Sequence, residues 1–204
     1  MLASSAVIED IDTMRRAELV SLAYYYCDFR DDKKKDLRGL VSSLLVQLCH
    51  QSDTYCDMVS KFYSAHAKGS HCPSDAALLL CLKGLLKLPG QAPVYLIVDA
   101  LDECSTTSDM PPAREKVLML VKQLTTSKYP NLHICVTNRR EADLSVALEH
   151  LSFHSISLHD KREHRNGLAL YIRSVVYADQ KIQAWRASDK ELVIDVLRRK
   201  SGGM

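Results

Sequence analysis

The chain has 204 residues, a formal net charge of +2, 47% hydrophobic residues and 25% charged residues. Those values are average for a globular chain, and they exclude collagen-like sequence, a disordered tail and a disulfide-stapled miniprotein. The near-neutral charge gives no global reason to expect nucleic acid or an anionic membrane as partner.

Leu2, Ala6, Val7, Ile11, Met14, Leu19 and Val20 recur at helical spacing, with acids and arginines between them. LAYYYCDF, residues 22–29, favours a strand, because aromatic side chains suit a pleated, half-buried surface. The polar run RDDKKKD then turns the chain as solvated loop. Asp36 caps a helix reaching about His50, with Leu37, Leu40, Val41, Leu44, Leu45 and Leu48 on one face. A second helix covers 53–66 and is broken between Gly69 and Pro73. Ser74 caps a third, DAALLLCLKGLLKL, which Pro89-Gly90 ends.

VYLIV, residues 94–98, is a continuous apolar run, as a strand buried on both faces of a parallel sheet requires. Pro111 and Pro112 open a helix to about Thr126, and LHICVT, 132–137, is a second buried strand. A short helix over 141–149 and a weaker strand, FHSISL at 153–158, follow. Lys161 to Arg199 is largely helical, with one apolar face of Tyr171, Ile172, Val175 and Val176 and another of Leu192, Val193, Val196 and Leu197. Parallel strands need crossover helices, so the alternation predicts an α/β domain with a helical extension after it.

Seven cysteines occur without a CxxC pair, mostly inside apolar stretches, and point to a reducing, cytoplasmic compartment. Cys49, His50, Cys56, His71 and Cys72 cluster in sequence but match no usual zinc spacing. The N-terminal residues lack a basic n-region, and no apolar run approaches the ~18 residues of a membrane span.

In open α/β sheets chemistry sits beyond the carboxyl ends of the strands. Asp99 directly follows VYLIV, where a carboxylate is placed to hold magnesium beside nucleotide phosphates. Asp102 and Glu103 follow, and one of them can polarise a water for attack on phosphorus. The same acids would serve as an exposed turn, with Asp102 as a cap. After the second strand, Thr137 and Asn138 can bond a phosphate or its attacking water, and Arg139 can contact phosphate or pair with the acids. Equally, Thr137 or Asn138 could cap the next helix. Cys104, beside Glu103, is expected to have its thiolate disfavoured by the acids.

LIVDALDEC followed by LHICVTNRRE resembles the Walker B and sensor-one segments of NACHT-type STAND P-loop nucleoside triphosphatases, nearest to the fungal nephrocystin-like N-terminal NACHT module. AYYYCDFRDDKKKDLRGLVSSLLVQLC, HSISLHDKREHRNGLALYI and KSGGM extend the likeness over nearly the whole chain. The resemblance implies a P-loop NTPase-like parallel sheet flanked by helices over residues 1–160, and the start of a helical extension over 161–204. It implies Mg2+ and ATP or GTP as cofactors of the intact module, slow hydrolysis and a conformational switch. It places Asp99 on the metal, Asp102 and Glu103 in hydrolysis, and Thr137 and Arg139 at the nucleotide. Asn138 and Arg140 depart from the family's Thr-Ser-Arg-Pro.

A phosphate-binding loop reads GxxxxGK(S/T), and none of the seven glycines stands in that pattern. By resemblance the loop and its strand precede Met1, and that strand lies centrally, between 132–137 and 153–158. The chain is therefore expected to be a fragment lacking its central strand, and not a competent NTPase by itself. The alternative is a non-catalytic interaction module that binds a full-length NACHT relative. A weaker third reading is another magnesium-dependent phosphohydrolase built on the three acids. NACHT-containing proteins or repeat-domain effectors are the partners the resemblance suggests, with an oligomer allowed and neither nucleic acid nor membrane expected.

Overall fold

The computed structural model describes all residues except 1, 29, 32–35, 67–69, 107–110, 128, 152–153, 157–161, 180 and 202–204. The chain forms two compact units, Met1–Leu151 and Ser152–Met204. In the first, the elements run α1 (Leu2–Arg16), β1 (Ser21–Tyr26), α2 (Leu37–Cys49), α3 (Asp53–Ala65), α4 (Asp75–Leu86) and β2 (Val94–Asp99). A 3-10 turn (Leu101–Glu103), α5 (Ala113–Thr126), β3 (Leu132–Val136) and α6 (Ala142–Glu149) complete it. In the second unit, α7 (Arg162–Ala178) and α8 (Ala187–Ser201) pack on each other.

The strands form one parallel sheet in the order β1-β2-β3, with Ser21 opposite Val94 and Val94 opposite Leu132. The sheet is flanked by helices on both faces, as an α/β pattern requires. Ala23, Tyr25, Val94, Leu96 and Val98 face a core built on Leu40, Leu44 and Leu48 of α2, Leu82 and Leu85 of α4, and Val117 and Leu120 of α5. Leu22 and Ile97 face the other way, onto Ile8 and Ile11 of α1. The period-2 alternation thus divides each strand between two apolar layers.

Helix ends follow the local chemistry read from the sequence. Asp36 accepts from Gly39 N at 2.7 Å and Ser74 accepts from Ala77 N at 3.2 Å, each pairing an otherwise orphaned amide. Asp36→Ala should therefore cost about 1 kcal/mol of stability in a denaturant titration, without changing the fold. Glu18, at φ 57, stops α1 earlier than the apolar spacing suggests, and Leu19 beyond it is 61% exposed.

The two sheet edges differ. Along β1, the amide of Gln51 accepts from Leu22 N at 2.8 Å and donates to Leu22 O at 2.6 Å. Gln47, one turn earlier, does the same for Tyr24, at 3.1 and 2.7 Å. These two side chains replace a neighbouring strand. On the other side, no strand among the described residues pairs with the outer edge of β3. LHICV reads as a strand buried on both faces, yet every one of its residues is half-buried or exposed, whereas β2 is almost wholly buried. An apolar strand with an open edge is a template for further pairing.

Two expectations need correction. The weak strand over 153–158 is not formed at 154–156, and the rest of it lies outside the described residues. In the second unit, Ile172, Val176 and Ile194 make the contact, while Tyr171, Val175, Leu192, Val196 and Leu197 are exposed. Ile194, absent from the predicted faces, is the buried α8 residue of the pair, and the predicted Val193 packs against the same cluster. Among the described residues no helix is long and apolar enough to cross a membrane.

Candidate functional site

Asp99 ends β2, and Thr137 stands one residue after β3. Because these strands are parallel neighbours, both residues reach the same end of the sheet. Thr137 N donates to Val98 O and Leu101 N donates to Thr137 O, each at 2.9 Å, so the ladder continues past Val136 and fixes Thr137. The Thr137 hydroxyl donates to Asp99 Oδ1 and accepts from Ala100 N at 3.0 Å. Asp99 is only 4% exposed. A buried carboxylate demands hydrogen bonds or a cation, and Thr137 supplies one bond.

Ala100 adopts φ 55 and ψ 50, a left-handed conformation that costs a residue with a Cβ about 1 kcal/mol. It redirects the chain from β2 into the turn Leu101–Glu103, which the fully buried Leu101 anchors. Asp102 has a side chain 6% exposed, so it is not the solvated acid of an open turn. Its Oδ1 accepts from Arg139 N at 2.9 Å, and its Oδ2 lies 3.6 Å from Arg139 Nε. The Arg139 side chain is 79% exposed and leaves its guanidinium at the surface. Glu103 is half-buried beside them.

Four of the five predicted residues thus form two pairs, Asp99 with Thr137 and Asp102 with Arg139. They tie the ends of β2 and β3 together. Neither Thr137 nor Asn138 caps the following helix: that position belongs to Glu141, which makes no side-chain cap bond.

Arg114 was not singled out by the sequence reading. It stands in the first turn of α5 and is 8% exposed. Its guanidinium donates to Asp102 O, to Glu141 Oε2 and, at 3.2 Å, to Asp143 Oδ2. It therefore joins the acidic turn to the segment entering α6. Burial works against charge at Asp143, but the Arg114 hydrogen bond and charge, together with backbone N–H bonds at Leu144 and Asp143, outweigh it and hold that carboxyl below the usual aspartate range. The available signal was spacing: Arg114, Val117, Val121 and Leu124 lie on the buried stripe of α5.

Cys104 Sγ donates to Cys27 Sγ at 3.3 Å. Burial and the charge of Asp102 oppose ionisation of Cys104, as expected, while the positive charge of Arg114 favours it. All seven cysteines are free. No group of three or more His, Cys, Asp or Glu converges for a metal among the described residues. Asp99 and Glu103 are hard oxygen donors of the kind magnesium takes, and magnesium needs only one or two carboxylates when phosphate and water complete its shell. The sequence holds no GxxxxGK(S/T) segment to supply a nest of amides for a phosphate chain.

Residues 1–139 match the family model described as "Nephrocystin 3, N-terminal". The chain is also similar to the vegetative incompatibility protein HET-E-1 of Podospora anserina, with 27% identity over 130 residues. That alignment covers 63% of this chain and 9% of HET-E-1, so the chain spans a small part of that relative. No solved structure matches it. The family match contains both strand ends and all five predicted site residues. The chain belongs to the nephrocystin 3 N-terminal family and is a NACHT-like module within it.

Proposed function

We propose that the chain carries the metal and hydrolysis side of a NACHT-type nucleotide-dependent signalling switch with a P-loop NTPase-like sheet. The observation that supports this most is the hydrogen bond from Thr137 to buried Asp99, which couples two strand ends where such folds do their chemistry. Asp99 would hold Mg2+, and the metal would neutralise charge on the phosphates of ATP or GTP. Within the chain itself, Thr137 fixes the Asp99 carboxylate, Asp102 fixes the loop bearing Arg139, and the exposed Arg139 guanidinium is left to meet an anion. Glu103, next to the site, is assigned to orienting water. The free cysteines support a reducing, cytoplasmic setting.

Residues 1–204 contain no GxxxxGK(S/T) segment, so the chain alone should show no saturable ATP or GTP binding in the micromolar range by calorimetry. When a strand and GxxxxGK(S/T) segment precede residue 1 in the same polypeptide, nucleotide should be hydrolysed. Glu103→Gln should then lower turnover by about 10²-fold or more while nucleotide still binds. Unchanged turnover would remove Glu103 from the reaction.

A second reading is favoured by the open edge of β3: the chain binds a full-length NACHT relative without catalysis. Asp99→Asn and Glu103→Gln would leave that association intact. Both readings leave room for repeat-domain effectors as partners.

A further inference from the structure

A second chemical site lies beside the first and uses different residues. Cys27 continues β1 by one residue, and its N donates to Asp99 O at 3.0 Å. Cys104 closes the acidic turn, its N donating to Leu101 O at 3.1 Å. These two anchors bring the Sγ atoms to 3.3 Å, although the residues are 77 apart in sequence. Both are buried, at 4% and 3% exposure. The contact joins the end of one strand to the turn after its neighbour, so a covalent bond there would change the freedom of that turn.

Both cysteines are free, and their sulfurs are already in contact. Two thiols so placed are the arrangement in which oxidation of either one passes to a disulfide.

We propose that Cys27 and Cys104 are a reversible oxidation site for hydroperoxides, converting to a disulfide that pins the Leu101–Glu103 turn to the carboxyl end of β1. One of the two thiols, ionised, attacks one oxygen of hydrogen peroxide; the O–O bond breaks, and hydroxide leaves and takes up a proton to become water. The sulfenic acid that results is attacked by the sulfur of the other cysteine. The S–O bond breaks, the S–S bond forms, and a second water leaves with the second thiol's proton. In sum the two thiols lose two electrons and two protons, and the peroxide is reduced to two waters. Reduction by a dithiol reverses the bond. This proposal does not rest on the nucleotide reading.

Cys49 and Cys56 also interact, and the exposed Cys56 offers peroxide an easier target, so the test must tell the pairs apart. The native chain is treated with hydrogen peroxide, remaining thiols are alkylated under denaturing conditions, and the peptides are mapped by mass spectrometry. A cross-link between the Cys27 and Cys104 peptides, fully lost on reduction with dithiothreitol, is expected. Amide hydrogen exchange at residues 101–104 should slow by roughly tenfold in the oxidised form. In Cys27→Ser the Cys104 sulfenic acid should persist and be captured by a carbon nucleophile such as dimedone. Alkylation of both Cys27 and Cys104 after oxidation, or cross-linking at Cys49–Cys56 alone, would overturn the proposal. A Cys27–Cys104 cross-link with unchanged exchange would overturn the pinning.

Discussion

Replacing Gln47 and Gln51 together by alanine should lower the stability of the unit spanning residues 1–151 by about 4 kcal/mol in a denaturant titration. The two amides make four hydrogen bonds to the backbone of Leu22 and Tyr24, at 2.6 to 3.1 Å. Each net bond is worth about 1 kcal/mol, and the loss is larger where the backbone group stays shielded from water. The glutamines lie four apart on α2 and the residues they serve lie two apart on β1, so one helix turn spans two strand residues. Gln51 Nε2 also donates to Gln47 O at 2.8 Å, which holds the second side chain in place. Each single variant should cost roughly half as much. The double variant should also self-associate, because it exposes a second strand edge beside that of β3. A double variant within about 0.5 kcal/mol of the native chain would show that water replaces the amides freely.

Arg114→Met should cost about 2 kcal/mol and loosen the acidic turn. Methionine keeps the volume on the α5 stripe and removes only the charge and its donors. Glu141 and Asp143 have side chains 40% and 56% exposed and can return to water, which keeps the cost below that of a fully buried pair. The Asp102 carbonyl loses a charged donor outright. Faster amide exchange at Leu101–Cys104 and at Arg139 should accompany the loss. The pH dependence has a defined sign. Asp143 is held below its unfolded pKa, so its contribution is full above the ordinary aspartate range and disappears as pH falls through the lowered value. The gap between native and Arg114→Met stability should therefore narrow as the pH falls below the ordinary aspartate range.

Much of the first unit was legible because its signals are local. Asp36 and Ser74 announce helix starts by their side chains, VYLIV announces a strand by uninterrupted apolarity, and LHICVT does so by its largely apolar run. The Asp99 and Thr137 positions followed from the same strands, since parallel neighbours present their carboxyl ends together. What was not legible depends on pairings distant in sequence. Arg114 meets Glu141 and Asp143 across 27 and 29 residues, and Cys27 meets Cys104 across 77. Gln47 and Gln51 read as ordinary polar positions until β1 is placed against α2. The exposed residues of α7 and α8 show a further limit: periodicity marks an apolar face, but packing decides which half of it is covered.

The most direct test concerns Asp99. Affinity for Mg2+ with ATP, and with GTP, is measured by calorimetry on a polypeptide that carries a strand and GxxxxGK(S/T) segment ahead of residue 1. Magnesium-dependent binding in the micromolar range is expected, weakened by about tenfold or more in Asp99→Asn, with the fold unchanged by circular dichroism. Equal affinity of the native and Asp99→Asn polypeptides, or binding indifferent to magnesium, would contradict the assignment of this strand end to a nucleotide switch.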